Sequence, residues 1–282
     1  MLIRFFAFSF LSFVFGANVY AASDPLAIQC AEKFREASKK LSDYKVNILK
    51  REWNLKGDLV HDEKLEVIIS RPKKLVQLKY MNSGATGIRN NGMTVTYTGV
   101  EKLKIELGSV KGFGFIAHGA AAAVIGDSMS IFDSLVLDDE IFTINRTGFD
   151  FLSMILGKGI EEARTSTEGG FSIKTPGTCE IKYSPHIPGQ IQVKIQPSES
   201  LFDLEEKYGT MAYILFQENR SKFDSIRELF VRKKPVEISI PKSFYETQMK
   251  FNPTTFLLDE FQMFQNGRRI ADYVFSELKT LP

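Results

Sequence analysis

A change in hydrophobic period constrains this fold most strongly. Apolar residues first recur at helical spacing, at Leu26, Cys30, Phe34, Ala37 and Leu41. From Tyr44 onward the period becomes two, which is typical of half-buried strands. The alternating sets are Tyr44, Val46 and Ile48; Leu65, Val67 and Ile69; Val76, Leu78 and Tyr80; Met93, Val95 and Tyr97; and Leu103, Ile105 and Leu107. The sequence therefore predicts a helix followed by a meandering antiparallel sheet that buries one face against it.

Cap and turn residues set the predicted ends of these elements. Asp24-Pro25 is expected to open the first helix, because Asp caps free N–H groups and Pro suits the first helical position. A second short helix is predicted over 149–156, ended by Gly157 and Gly159. Asn266-Gly267 predicts a hairpin between the last two strands.

A different pattern lies between these parts of the chain. A turn-rich linker at 184–189 is followed by a strand at 191–195, helices at 200–208 and 210–217, and a strand at 236–240. Thr210 is expected to cap the second of these helices. The final hairpin needs sheet partners, since an isolated hairpin is marginal in water. We therefore expect one domain made of 23–186 and 250–282, and a βααβ domain at 190–242 inserted before the last hairpin.

The first 22 residues have the parts of a secretory signal peptide. Arg4 precedes an apolar run at 5–15 and a small-residue end at Tyr20-Ala21-Ala22-Ser23. The apolar run is shorter than the roughly 20 residues that span a bilayer. We expect cleavage after Ala21 or Ala22 and a soluble periplasmic protein, the alternative being an uncleaved anchor. The sequence predicts no transmembrane segment in the mature chain.

Charge and cysteine usage narrow the classes of partner. The chain has 36 Lys and Arg residues against 34 Asp and Glu residues, and removal of Arg4 brings these numbers closer. This balance argues against nucleic acid as a partner and against a polybasic membrane patch. Cys30 and Cys179 would lie in an oxidising compartment, where a disulfide persists. A disulfide between them and two free buried thiols both remain open.

One motif resembles the LysM domain, a βααβ module that binds the N-acetylglucosamine backbone of peptidoglycan. Residues 197–210 read Pro-Ser-Glu-Ser-Leu-Phe-Asp-Leu-Glu-Glu-Lys-Tyr-Gly-Thr, and 236–241 match the closing strand of that family. The resemblance implies a sugar-binding groove at Ser198, Glu199, Ser200, Leu201, Phe202 and Asn219. Ser198 replaces a family Gly, and Arg232-Lys233-Lys234-Pro235 replaces a Pro-Gly-Gln turn. Sugar binding and a purely structural, degenerate module are therefore both open.

The rest of the chain resembles an uncharacterised exported bacterial family that shares the architecture of the lipoprotein carriers LolA and LolB. The matching positions are Tyr44, Lys50-Arg51-Glu52, Gly57, Arg71-Pro72, Asn145-Arg146 and Gly148-Phe149. The resemblance implies an α+β fold in which a curved antiparallel sheet, a half-barrel, packs on helices. Such a half-barrel can hold a lipid or lipoprotein acyl chain. Phe113, Phe115 and Ile116 are then candidates to line an apolar cavity, unless they complete the core.

Catalytic motifs find no support in the sequence. His61, His118 and His186 are widely spaced, so we expect no metal site. Gly126-Asp127-Ser128 lacks the remaining residues of a hydrolase block, and we expect the acidic pair Glu205-Glu206 to be solvated. The sequence predicts a binding protein without a cofactor, which docks on peptidoglycan through the LysM-like module. The alternative is a lipid or lipoprotein carrier.

Overall fold

The chain forms four helices and thirteen strands within the part described by a computed structural model. That part comprises residues 23–54, 56–83, 92–99, 102–106, 128–130, 144, 147–165, 170–184, 190–199, 201–208, 210–224, 228–229, 232–241, 246–265 and 267–282. The helices are α1 (Pro25–Lys39), α2 (Phe149–Thr165), α3 (Leu201–Tyr208) and α4 (Ala212–Glu218). The strands are β1 (Asp43–Trp53), β2 (Leu59–Ser70), β3 (Leu75–Ser83), β4 (Thr94–Tyr97), β5 (Lys102–Glu106), β6 (Ser128–Ser130), β7 (Gly170–Ile173), β8 (Glu180–Ser184), β9 (Gln190–Ile195), β10 (Val236–Pro241), β11 (Glu246–Phe251), β12 (Leu258–Gln265) and β13 (Arg268–Thr280).

Eleven of these strands form one curved, unclosed antiparallel sheet. Their order is β6-β5-β4-β3-β2-β1-β13-β12-β11-β8-β7. The N-terminal meander and the C-terminal hairpin meet at the centre, where Ile48 of β1 pairs with Leu65 of β2 and with Phe275 of β13. The predicted α+β class, with a curved antiparallel sheet packed on helices, is confirmed.

Helices α1 and α2 pack on one face of this sheet around an aromatic cluster. The ring of Phe34 lies 6.0 Å from that of Phe149 and 5.3 Å from that of Phe251, between centroids. Tyr44 stacks on Phe149 at 5.6 Å, and its hydroxyl oxygen accepts a hydrogen bond from the Phe149 N–H at 3.1 Å. The start of α2 is thereby fixed to the first strand.

The predicted start of α1 is confirmed, but one of its predicted core residues is not buried. Asp24 accepts a hydrogen bond from the Leu26 N–H at 2.8 Å, and Pro25 is the first helical residue. Leu26 is 63% exposed. The helix instead buries Ala27, Cys30, Ala31 and Phe34, because small residues on that side allow α1 to lie close to its neighbours.

Helix α2 runs past the glycines that were expected to end it, so that prediction is wrong. Gly157 and Gly159 are buried inside the helix. A Cβ at Gly157 would lie 2.7 Å from Nη2 of Arg35, and one at Gly159 would lie 3.2 Å from the Tyr183 ring. These glycines therefore provide close approach to α1 and to β8, and they do not act as stop signals.

Cys30 and Cys179 form a disulfide, which decides between the two alternatives left open by the sequence. The bond joins α1 to the turn before β8 across 149 residues of sequence. In the described residues, no helix is both long enough and apolar enough to cross a membrane.

Strands β9 and β10 pair antiparallel in a separate two-stranded sheet with α3 and α4. This βααβ unit has its own apolar cluster, to which α4 contributes Ala212, Leu215 and Phe216. The neighbouring Met211, Tyr213 and Ile214 belong to the core cluster of the large sheet. The βααβ unit therefore contacts the core cluster that the large sheet shares with α1 and α2, through Met211, Tyr213 and Ile214.

The start of α4 differs from the prediction. Met211, and not Thr210, is the N-cap residue, and its side chain makes no capping hydrogen bond. The Ala212 N–H donates instead to a carboxylate oxygen of Glu205 at 2.7 Å. Glu205 is 1% exposed, so the expectation of a solvated Glu205 is wrong. The carboxylate is buried because it satisfies a helix N–H group that has no partner within the helix.

Candidate functional site

A cluster of ionisable side chains is buried on the core face of the large sheet. Lys50 and Glu52 continue the inward-facing row of Tyr44, Val46 and Ile48 along β1. His61 and Glu63 likewise continue the row of Leu65, Val67 and Ile69 along β2. Tyr273 lies opposite Lys50 on β13. We call Lys50, Glu52, His61, Glu63 and Tyr273 the polar cluster.

The members of the polar cluster lie close enough to interact strongly. Nζ of Lys50 is 3.4 Å from Oε2 of Glu52 and 3.7 Å from Oε2 of Glu63. The imidazole of His61 lies between the same carboxylates, with Nδ1 3.6 Å from Oε1 of Glu63 and Nε2 3.9 Å from Oε2 of Glu52. The Tyr273 hydroxyl donates a hydrogen bond to Glu52. Glu52 and Glu63 are at most 1% exposed.

This arrangement gives the core face of the sheet two chemically different ends. The end beside Tyr44 is apolar and covered by α1 and α2, whereas the end beside Glu52 is charged. Removing charged groups from water is expensive unless they are paired, and replacement by apolar residues is often neutral or stabilising. A buried ionisable cluster is therefore a candidate functional site. The arrangement can present ammonium, imidazole, hydroxyl and carboxylate groups to the polar part of a ligand.

Sequence reasoning did not identify the polar cluster, although a signal was present. Lys50-Arg51-Glu52 enters the prediction only through a family resemblance, and His61 only as one of three widely spaced histidines. In both β1 and β2 the charged residues are in phase with the buried apolar row, so extending the period of two would have placed them inside the fold. The predicted cavity residues Phe113, Phe115 and Ile116 lie outside the described residues.

Two residues of the predicted sugar groove, Glu199 and Asn219, make hydrogen bonds within the βααβ unit. Ser198 is exposed, and Glu199 accepts a hydrogen bond from the Gln196 N–H at 2.7 Å. Asn219 donates to the carbonyl oxygens of Leu215 and Ser239, and accepts from the Ser239 N–H, each at 2.7 Å. The amide of Asn219 thus joins α4 to β10. Ser200 and the side chains of Leu201 and Phe202 lie outside the described residues.

Arg232 joins the loop that carries Ser198 and Glu199 to the segment before β10. Its guanidinium donates to the carbonyl oxygens of Gln196, at 2.9 Å, and of Glu199 and Leu229. Arg232 is 8% exposed, and burial lowers its pKa, an effect that nearby Glu199 opposes. These carbonyl groups are therefore already engaged by a side chain of the protein itself. Sequence reasoning registered Arg232 only as a departure from the LysM pattern.

A metal centre finds no geometric support in the described part of the chain. No group of three or more His, Cys, Asp or Glu side chains is arranged there to hold a metal ion. The polar cluster contributes two carboxylates and one imidazole, but its lysine ammonium lies between the carboxylates.

Comparison with known proteins yields likeness only at the level of solved structures. No protein-family model matches the chain, and no curated protein matches it. LprF from Mycobacterium bovis is 12% identical, with coverage of 93% of this chain and 96% of LprF, and a TM-score of 0.38. A LolA superfamily protein from Nitrosomonas europaea is 10% identical, with coverages of 91% and 94% and a TM-score of 0.33. The Mycobacterium tuberculosis lipoprotein LppX is 10% identical, with coverages of 92% and 98% and a TM-score of 0.35. No functional assignment follows from these likenesses.

Proposed function

We propose that this chain is a non-catalytic, carrier-like binding protein of the cell envelope that holds an amphiphilic ligand on the core face of its large sheet. The ligand would be a lipid or the acyl part of a lipoprotein. The observation that carries this proposal is the two-ended core face, apolar beside Tyr44 and charged at the polar cluster. An acyl chain would have to replace part of the cover that α1 and α2 give the apolar rows, and its polar head would lie at the cluster.

Two further observations support a place outside the cytoplasm. Residues 1–22 have the composition of a signal peptide. The Cys30–Cys179 disulfide belongs to an oxidising compartment, because cytosolic thiols are usually kept reduced. Export to the periplasm is therefore part of the proposal.

The proposal is tested by native mass spectrometry of the protein isolated from its own cell envelope. The expected result is an added mass that fragments to an acyl-bearing molecule. After removal of that molecule, the folded protein should bind a dansyl-labelled fatty acid saturably. A folded protein that carries no acyl ligand and does not bind the labelled fatty acid contradicts the proposal.

A pair of neighbouring residues on β1 offers a matched control for the site. Glu52 faces the core, whereas Arg51 faces the other side of the sheet and contacts Asp62. We expect Glu52→Gln to change the affinity for the labelled fatty acid severalfold and Arg51→Gln to leave it unchanged. Circular dichroism establishes that both variants are folded. Equal affinities in both variants would remove the polar cluster from the proposed site.

Docking on peptidoglycan is the second candidate function, favoured by the order and pairing of β9, α3, α4 and β10. We rank this function second because Arg232 and Asn219 make their hydrogen bonds within that unit. On this alternative, the mature protein should be enriched on purified peptidoglycan sacculi. Ser198→Arg should abolish that enrichment, whereas Ser172→Arg, at an exposed position of β7, should not. A lack of enrichment of the folded protein excludes this function.

A further inference from the structure

A cleft of about 380 Å³ lies between α1 and the loop that connects β11 to β12. This size falls within the range of roughly 300–1,000 Å³ that is common for small-ligand pockets. The cleft is lined by Lys33, Glu36, Ala37, Lys40, Thr254, Thr255, Phe256 and Leu257. None of these residues belongs to the polar cluster or to the βααβ unit.

The loop wall of the cleft is held in a defined conformation. Oδ1 of Asn252 accepts hydrogen bonds from the N–H groups of Thr254 and Thr255, both at 3.0 Å. The backbone of Asn252 also bonds to Phe256 and Leu257, at 2.9 and 2.8 Å. Phe256 adopts a φ of 56°, in the left-handed region that an aromatic residue rarely occupies. Backbone strain of this kind clusters at ligand sites, where the surrounding structure holds it in place.

The other wall of the cleft is cationic. Nζ of Lys33 lies 4.6 Å from the centroid of the Phe256 ring, and Lys40 is the C-cap residue of α1. Glu36 is the single acidic side chain among the lining residues. Arg71 donates hydrogen bonds to the carbonyl oxygens of Ser38 and Lys39 at the end of α1. These carbonyl groups therefore have a partner other than the ammonium groups of Lys33 and Lys40. The cleft therefore complements a negatively charged group.

The exposed face of α1 extends this cationic site with an apolar residue. Leu26, Lys33 and Lys40 are spaced seven residues apart, so they follow one face of the helix with a drift of about 20° per heptad. Leu26 is 63% exposed and lies about 10 Å along the axis from Lys33, at 1.5 Å per residue. An exposed apolar side chain on the same helix face as cationic ones is a combination that favours the interface of an anionic bilayer.

We propose that the cleft binds the phosphate headgroup of an anionic phospholipid, and that the Leu26–Lys33–Lys40 face of α1 docks on the membrane surface. This inference rests on the proposed function, because a carrier of acyl chains exchanges its ligand at a membrane. The charge of the cleft favours an anionic bilayer over a neutral one. The exposed Leu26 on the same face of α1 favours a bilayer surface over a free anion.

The test is co-sedimentation of the mature protein with phosphatidylglycerol vesicles and with phosphatidylcholine vesicles. We expect binding to the first, weaker at high salt, and no binding to the second. Lys33→Gln/Lys40→Gln should weaken binding about tenfold or more, since each surface lysine contributes substantially to the attraction. Lys194→Gln/Lys279→Gln is the matched control, because it removes the same charge from exposed positions on β9 and β13. The control pair should bind like the wild type.

Three results would overturn the inference. These are a lack of binding to phosphatidylglycerol vesicles, unchanged binding by the Lys33/Lys40 variant, and equal loss in the control variant. A separate titration with inorganic phosphate follows the amide resonances of 254–257 by NMR. If the protein binds phosphate but not vesicles, the cleft is a site for a soluble anion, and the proposal that α1 docks on a membrane is refuted. Failure of the carrier function is recognised separately, because it appears as a missing acyl ligand while vesicle binding persists.

Discussion

The buried carboxylate of Glu205 shows how much one side chain contributes inside the βααβ unit. It accepts the N–H of Ala212 at 2.7 Å at the start of α4, where the cap residue Met211 offers no side-chain acceptor. We expect Glu205→Ala to lower the free energy of unfolding by about 1–3 kcal/mol, because a buried N–H group then loses its partner. Urea denaturation followed by circular dichroism measures the change.

The control for this prediction is Glu237→Ala, at an exposed position on β10 of the same unit. It should change the free energy of unfolding by less than about 0.5 kcal/mol. Equal effects of the two substitutions would show that the Glu205–Ala212 hydrogen bond does not stabilise α4.

Two buried tyrosines predict a fall in stability at high pH. Burial raises the pKa of the Tyr44 and Tyr183 hydroxyls well above its usual range, and the nearby Glu162 carboxylate raises that of Tyr183 further. In the unfolded chain a tyrosine ionises near pH 10. Unfolding therefore releases protons above about that pH, and the free energy of unfolding falls as pH rises through this range.

Tyr183→Phe isolates this effect. The variant loses the hydrogen bond from the Tyr183 hydroxyl to Glu162, 2.8 Å long, so it should be less stable than the wild type at pH 8. The difference between the two proteins should narrow by pH 10.5, measured by urea denaturation at both pH values. Lysines that titrate in the same range are common to both chains. A difference that stays constant with pH refutes the prediction.

At the residue scale, the sequence predicted those interactions that join residues close together in the chain. The Asp24 cap is such a case, since acceptor and donor are two residues apart. The roles of Glu205 and of the polar cluster depend on groups brought together by the fold. Local pattern alone therefore could not separate a buried carboxylate from a solvated one.

Among the elements, the close packing of α2 depends on Gly157 and Gly159, which the sequence pattern predicts as the end of the helix. A Cβ at Gly159 would lie 3.2 Å from the Tyr183 ring and 3.3 Å from the Phe171 ring. Gly159→Leu should lower the free energy of unfolding by about 1–3 kcal/mol, because the larger side chain has no space. Glu161→Leu, exposed on the same helix, should have little effect. The test is thermal unfolding of both variants. Equal melting temperatures of the two would contradict close packing at Gly159.

The strands that the sequence predicted are those with a regular period of two. Strands β1 to β5 and the β12–β13 hairpin lie where alternation or an Asn-Gly turn indicated them. The sequence does not predict β6, β7 or β11. β6 has only three residues. β7 has only four residues, too few for a period to emerge. β11 follows the βααβ unit directly, and its pairing with β8 joins strands that are distant in sequence.

For the whole molecule, an unclosed sheet leaves edges that must be protected from pairing with other chains. The edge at β7 is partly covered by the residues just before α1. The Asp24 N–H donates to the Phe171 carbonyl at 2.7 Å, and the Phe171 N–H donates to Oγ of Ser23 at 3.3 Å. The segment that begins the described chain thus extends the sheet edge, and the nearby disulfide holds the same helix to the turn before β8.

The Cys30–Cys179 disulfide should therefore govern the stability of the molecule as a whole. It closes a loop across 149 residues, and in the chain-entropy view such a long closure stabilises by about 5 kcal/mol, at the upper end of a usual range of roughly 2–5 kcal/mol. We expect Cys30→Ser/Cys179→Ser to lose an amount of this size in urea denaturation, and reduction of the wild type with dithiothreitol to produce a similar loss. The double variant should itself be insensitive to dithiothreitol. A wild type that is equally stable with and without the reductant would mean that packing between α1, α2 and the sheet already holds the two ends together, and that the disulfide contributes little to the fold.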